Sequence, residues 1–207
     1  KVPRELRKFS LSAGLTQTVC GITDYFGGFW ERNQIGWSDR LGGPLMRVPA
    51  AGGAPARLIA TPNAPDTASM QGWPQPLPGG PYLLVSDWGE ARRSLVVVDR
   101  RSGARRGLGI EGVYGRYLGS GRLLCVTREG QARIVPFDPK RAVVAGAPVA
   151  VLRDISMSGN EAAILAYSGA GQLAWSHGLV RHSGIEEMRL VRVDAAGRVT
   201  PLPVAGD

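Results

Sequence analysis

The chain has 207 residues, 43% hydrophobic and 20% charged, with 29 glycines, 15 prolines and a net charge of +8. That is the make-up of a chain that folds around an apolar core, not of a disordered one. No apolar run approaches the roughly 18 residues of a membrane-crossing helix, and residues 1–6 hold no apolar stretch of a leader, so neither is expected within this chain.

In chain order, apolar strand-like runs alternate with glycine turns. Residues 7–11 lead to Gly14, and Val19 follows five positions later. Residues 29–30, a turn at 31–34 and the run 35–38 come next; residues 45–48 then lead to Gly53, with Leu58 five on. The same series recurs as 73–77, the turn 78–80, 82–86, 95–99, Gly103 and Leu108, and again as 114–118, the turn 119–121, 123–127, 133–137, Gly146 and Val151. A last copy runs 162–167, the turn 168–171, 173–176, 190–194, Gly197 and Leu202. Glycine in these turns supplies positive φ at little steric cost.

A β-rich unit repeating about every 40 to 50 residues is the pattern of a β-propeller, one blade per unit. The expected fold is all-β: four-stranded antiparallel blades at 23–60, 68–110, 111–153 and 160–203, with residues 4–22 giving the third and fourth strands of a preceding blade, one propeller domain over 1–207. About four and a half blades are expected to form either a fragment of a larger propeller, such as a six-bladed one, or a small ring that closes imperfectly, and the missing initiator Met suggests a fragment or a processed chain.

Lysine occurs only at positions 1, 8 and 140, so the positive charge is carried by arginine. A nucleic-acid surface gathers its charge on one face between aromatics. Here the arginines run the whole length, and the one dense group is Arg92-Arg93 with Arg100-Arg101 and Arg105-Arg106. Nucleic acid is therefore not the expected partner; a solvated edge is expected for that group, with an anion patch as the alternative. Cys20 and Cys125 fall in different units without a CxxC spacing, so buried free thiols are expected.

Chemistry-bearing patterns are scarce. His177 and His182 stand five apart in an expected loop, with Glu186 and Glu187 beyond, a spacing wrong for a helical zinc pair. The serines at 156, 158 and 168 are not in a GxSxG elbow. The loose GxGxxG over 107–112 follows a strand but opens no helix. No catalytic residue, metal or cofactor is assigned. The ligand candidates are instead Trp30, Trp73, Tyr114, Arg116 and Tyr117 on the innermost strands, where they could line the axial channel or fill blade contacts. Trp88 and Arg92, between second and third strands, are expected to be exposed.

Trp73-Pro74-Gln75-Pro76-Leu77-Pro78-Gly79-Gly80 resembles the WPxxLPDG opening of TolB-type, WD40-like repeats, with Gly79 in place of Asp. Leu45-Met46-Arg47-Val48-Pro49-Ala50-Ala51-Gly52-Gly53 resembles the strand–turn–strand of the same repeats. Residues 115–124, 135–138 and 146–149 resemble the corresponding run in propellers found C-terminal to bacterial eukaryotic-like serine/threonine kinases. The resemblance covers roughly residues 25–203. It implies a non-catalytic sensor or scaffold propeller that binds a protein, peptide or small ligand, in an extracytoplasmic setting. The alternative is the propeller portion of a dipeptidyl-peptidase-like hydrolase whose chemistry lies in other sequence.

Overall fold

The computed structural model describes residues 4–39, 43–59, 71–89, 93–168, 171–178, 189–193 and 198–201. All regular elements among the described residues are β-strands, and none of them is a helix that could cross a membrane. Strands β1 (Arg4–Ser10) and β2 (Leu15–Ile22) form a two-stranded antiparallel sheet. Strands β3 (Gly28–Glu31), β4 (Gln34–Ser38), β5 (Leu45–Pro49) and β6 (Ala56–Arg57) form the next sheet. A third holds β7 (Gln71–Pro76), β8 (Tyr82–Asp87), β9 (Ser94–Asp99) and β10 (Arg105–Glu111). The fourth holds β11 (Tyr114–Gly119), β12 (Arg122–Val126) and β13 (Ala132–Asp138), with β14 (Val143–Val144) and β15 (Val149–Leu152) both paired to β13. The fifth holds β16 (Leu165–Tyr167), β17 (Leu173–His177), β18 (Arg189–Val193) and β19 (Val199–Pro201). In each sheet the spatial order is the chain order, the meander expected of hairpin-linked strands, except that β15 pairs with β13 and not with β14.

The middle strands of the second, third and fourth sheets are apolar on both faces because a neighbouring sheet covers each side. Leu83 and Val85 pack with Leu45 of the preceding sheet and with Val96 and Val98. Leu84, pointing the other way on the same strand, packs with Leu123, Cys125, Val135 and Phe137 of the following sheet. Leu124 and Val126 in turn meet Ala163 and Trp175 of the fifth sheet. Val19 and Cys20 of the two-stranded sheet meet Ile35, Trp37 and Val48. Four apolar interfaces in sequence, one between each neighbouring pair of sheets, are the packing of a β-propeller with four-stranded antiparallel blades. A fully buried Leu or Val contributes roughly 1.5–3 kcal/mol, so these interfaces hold the stack together.

A buried hydroxyl stands at, or one residue from, the end of the second strand of each blade: Ser38, Ser86, Thr127 and Ser176 are 0%, 1%, 3% and 8% exposed. Ser38 Oγ donates to the Gln71 carbonyl at the start of the next blade (2.7 Å). Ser176 Oγ lies 3.2 Å from Ser156 Oγ, which donates to the Gly178 carbonyl. Ser86 Oγ has no hydrogen-bond partner among the described residues.

The outer strand of the fourth sheet departs from a single run after Gly146. Pro136 in β13 has no N–H to continue the ladder; its carbonyl accepts from Ala145 N (2.8 Å), and pairing resumes only at Ile134 with Val149.

Candidate functional site

The first strands of the blades, β3, β7, β11 and β16, surround a common axis. Gln75 on β7 demonstrates this: its Nε2 donates both to the Tyr117 carbonyl on β11 (3.1 Å) and to Tyr167 Oη on β16 (3.2 Å). Tyr117 N donates to Gln75 Oε1 (2.7 Å), and Tyr167 Oη donates to the Tyr117 carbonyl (3.3 Å). Side chains from a blade and from the second blade beyond it can meet only where the inner edges converge.

Beside this cross-link lies a second group of residues. Trp73 has φ of 55° in a bulge where the pairing of β7 with β8 skips from Gly72 to Gln75. Pro74 follows and cannot donate to the ladder, so the bulge is built into the sequence. The bulge turns the Trp73 backbone inward. Its N–H donates to the Phe26 carbonyl (2.7 Å) and its carbonyl accepts from Arg116 Nη1 (3.0 Å). Arg116 Nε donates to Tyr114 Oη (2.9 Å), and the guanidinium lies 4.9 Å from the centre of the Tyr114 ring. The Trp73 and Tyr114 rings are tilted at 57° with centroids 5.9 Å apart. Gly27 makes room for this indole, since a Cβ there would lie 2.4 Å from Trp73 Cε3. Burial pushes the Tyr25 phenol above its usual pKa, against the opposing pull of the Arg116 charge. Tyr25 and Arg116 are thus neighbours in the same electrostatic environment.

Of the residues singled out from the sequence, Trp73, Tyr114 and Arg116 come together here. Tyr117 joins through its backbone, while its ring packs 6.1 Å from Phe137 and its Oη accepts from Gly121 N. Trp30 is 58% exposed at the turn end of β3, its indole donating to the Arg32 carbonyl (2.9 Å). Trp88 corrects the expectation of exposure. It is 3% exposed, because Gly72 leaves a slot for its ring, Phe26 closes on it edge-on at 6.1 Å, and its Nε1 donates to the Val113 carbonyl (3.2 Å). Arg92 lies outside the described residues. Sequence reasoning missed Tyr25, Gln75 and Tyr167. The signal for Gln75 was its place on the Trp73 strand; nothing local distinguishes the other two.

Among the described residues, the charges of Arg93, Arg100, Arg105 and Arg106 are engaged separately. Arg93 pairs with Glu161, Arg100 with Glu31 (2.6 Å) and Arg105 with Asp87 (2.7 Å), while Arg106 donates to the Arg141 and Ala142 carbonyls. Several of these contacts tie one blade to another, and none builds an open cationic face. His177 corrects the expected loop placement: it is the last residue of β17, paired with Arg189. His182, Glu186 and Glu187 lie outside the described residues. Among the described residues no three His, Cys, Asp or Glu side chains converge as metal ligands. A separate concavity of about 400 Å³ opens beside Arg4, Ile22, Trp37 and Met46. Its acidic group, Asp39, is already engaged by Thr23 N and Trp37 Nε1 at 3.0 Å each.

No protein-family model matches the chain, and no curated protein matches it in sequence. Solved structures match its fold. TolB from Acinetobacter baumannii superposes with a TM-score of 0.65 at 11% identity, over 96% of this chain and 48% of that one. The calcium-binding protein regucalcin from Agrobacterium tumefaciens gives 0.63 at 14%, over 95% and 65%. A puromycin-hydrolyzing peptidase of Mycobacterium tuberculosis gives 0.54 at 15%, over 93% and 42%. The chain therefore spans less than two thirds of each of these proteins. Its fold is a TolB-like β-propeller. The three neighbours differ in function, so the fold itself does not select one.

Proposed function

We propose that the chain is a non-catalytic binding module, a single propeller domain over residues 1–207 that recognises a protein, peptide or small ligand at its axial face. The observation that carries this reading is the axial wall. Gln75, Arg116 and Tyr167 are held in place by hydrogen bonds that run between blades, and Arg116 donates as well to Tyr114 on its own strand, with aromatic rings beside them. Fixed polar groups beside aromatic surface recognise a ligand at low ordering cost. Together with the resemblance to kinase-linked repeats, this supports a sensor or scaffold role in a bacterial signalling protein.

The test is a ligand screen of the whole chain by thermal shift and by ¹⁵N-resolved NMR with peptides and small metabolites. Binding that moves the Gln75 side-chain amide and the Trp73 indole resonances is the expected result. Binding confined to the outer strands, or turnover of a substrate by the purified chain, overturns the reading. The second reading, the propeller portion of a peptidase, draws on the fold shared with the mycobacterial peptidase. A hydrolase segment in the adjoining coding sequence would favour it over the first.

A further inference from the structure

We propose, building on the binding-module reading, that Arg116 anchors a carboxylate of a peptide ligand at the axis, supplied by an Asp or Glu side chain or by a C-terminus. A guanidinium carries five N–H donors in a planar fork that matches a carboxylate. In Arg116, Nε is taken by Tyr114 Oη and Nη1 reaches the Trp73 carbonyl, while Nη2 has no acceptor among the described residues. No described carboxylate lies within ion-pair distance of it either. Other arginines of the chain behave differently: Arg93, Arg100 and Arg105 each end on a carboxylate of Glu161, Glu31 or Asp87. Arg106 also ends only on carbonyls, but it stands exposed on the outer strand β10, where water hydrates its charge.

Arg116 is half-buried on an innermost strand. A partly desolvated cation without a counter-charge is costly, and an incoming anion removes that cost. The two existing hydrogen bonds hold the fork before any ligand arrives, so little side-chain entropy is lost on binding. The partly exposed Trp73 ring, backed by the buried Tyr114 ring, offers apolar surface for the residue beside the carboxylate.

The experiment titrates the whole ¹⁵N-labelled chain at millimolar concentrations with three probes. These are acetyl-Phe-Ala-Ala with a free C-terminus, the same peptide as its C-terminal amide, and acetyl-Phe-Glu-Ala-amide. The readout is the arginine Nε–Hε spectrum, with the Arg116 signal assigned by its loss in R116K. A saturable shift of that signal with a carboxylate probe, and binding weaker by about tenfold or more for the amide, is expected. Preference for one carboxylate probe identifies its source. R116Q is expected to lose the preference and R116K to keep part of it, as a charge without the fork; if R116Q does not fold, the wild-type titration decides. Equal binding of amide and carboxylate probes at the axis overturns the carboxylate anchor and leaves the binding module standing. No shift of the Arg116 signal with any probe overturns the anchor, and a ligand screen that moves only outer-strand signals overturns the module as well.

Discussion

Gly27 sits at φ 86° with its absent Cβ pointing at Trp73, 2.4 Å from Cε3 and 2.8 Å from Cα. Gly14 has a similar φ of 65° but nothing within 4 Å of the same position. Both glycine-to-alanine changes incur the left-handed backbone penalty of about 1–2 kcal/mol. Only G27A must also displace the indole whose carbonyl holds Arg116, adding about 1–3 kcal/mol of overpacking strain. Urea unfolding should therefore rank G27A well below G14A; equal midpoints would mean that the Trp73 bulge yields freely. Cys125 behaves as an inert thiol in the same sense. It is 0% exposed, and burial pushes its pKa from 9.0 up to about 12. The unfolded chain ionises this thiol near pH 9 and the folded one does not. Its contribution is thus fully present below pH 9 and declines as the pH rises from 9 toward 12, by up to about 1.4 kcal/mol per pH unit. The stability difference between wild type and C125A should narrow over that window. A constant difference between pH 8 and pH 10 would contradict it.

At the level of the strand, the buried hydroxyl at or one residue from the end of each second strand has unequal duties in different blades. Ser38 bridges to the Gln71 carbonyl of the next blade, whereas Ser86, at the same place in its own blade, is buried with no partner among the described residues. S38A removes a cross-blade bond and should cost about 1–2 kcal/mol. S86A removes a hydroxyl that gains nothing from burial and should be neutral or slightly stabilising. Equal losses in calorimetry for the two would show that Ser86 is satisfied in solution. The strand order itself was legible because glycine turns and apolar runs recur in phase, and local rules govern both. The irregularities were not. Trp88 reads as a loop tryptophan until Gly72 is known to face it across the sheet. The split between β14 and β15 depends on which β13 residue meets the proline-interrupted ladder. Arg116 stood out as a candidate from its strand, but the Trp73 carbonyl that orients it lies 43 positions away. Pairings set by tertiary contact leave no local trace.

For the molecule as a whole, protection should follow how many neighbours cover a sheet. The β8, β9 and β12 strands are sealed on both faces, with Leu83, Leu84, Val85, Leu95, Leu123, Leu124, Cys125 and Val126 all at 0% exposure. The β1–β2 sheet buries Val19 and Cys20 against Ile35 and Trp37, while the β2 residues from Leu15 to Thr18 are exposed. Opening the covered strands must break two apolar interfaces, whereas opening β1–β2 or the fifth sheet breaks the one described interface each shares. In a stack held by nearest-neighbour contacts, these costs add roughly interface by interface. Native-state hydrogen exchange should therefore find the slowest amides in β8, β9 and β12 and faster strand amides in the fifth sheet and in β1 and β2. Among the latter, the β2 amides beside Val19 and Cys20 should exchange more slowly than those at the Leu15 end. Uniform protection across all five sheets would mean that the blades open together, and the interface-by-interface account of stability would fail.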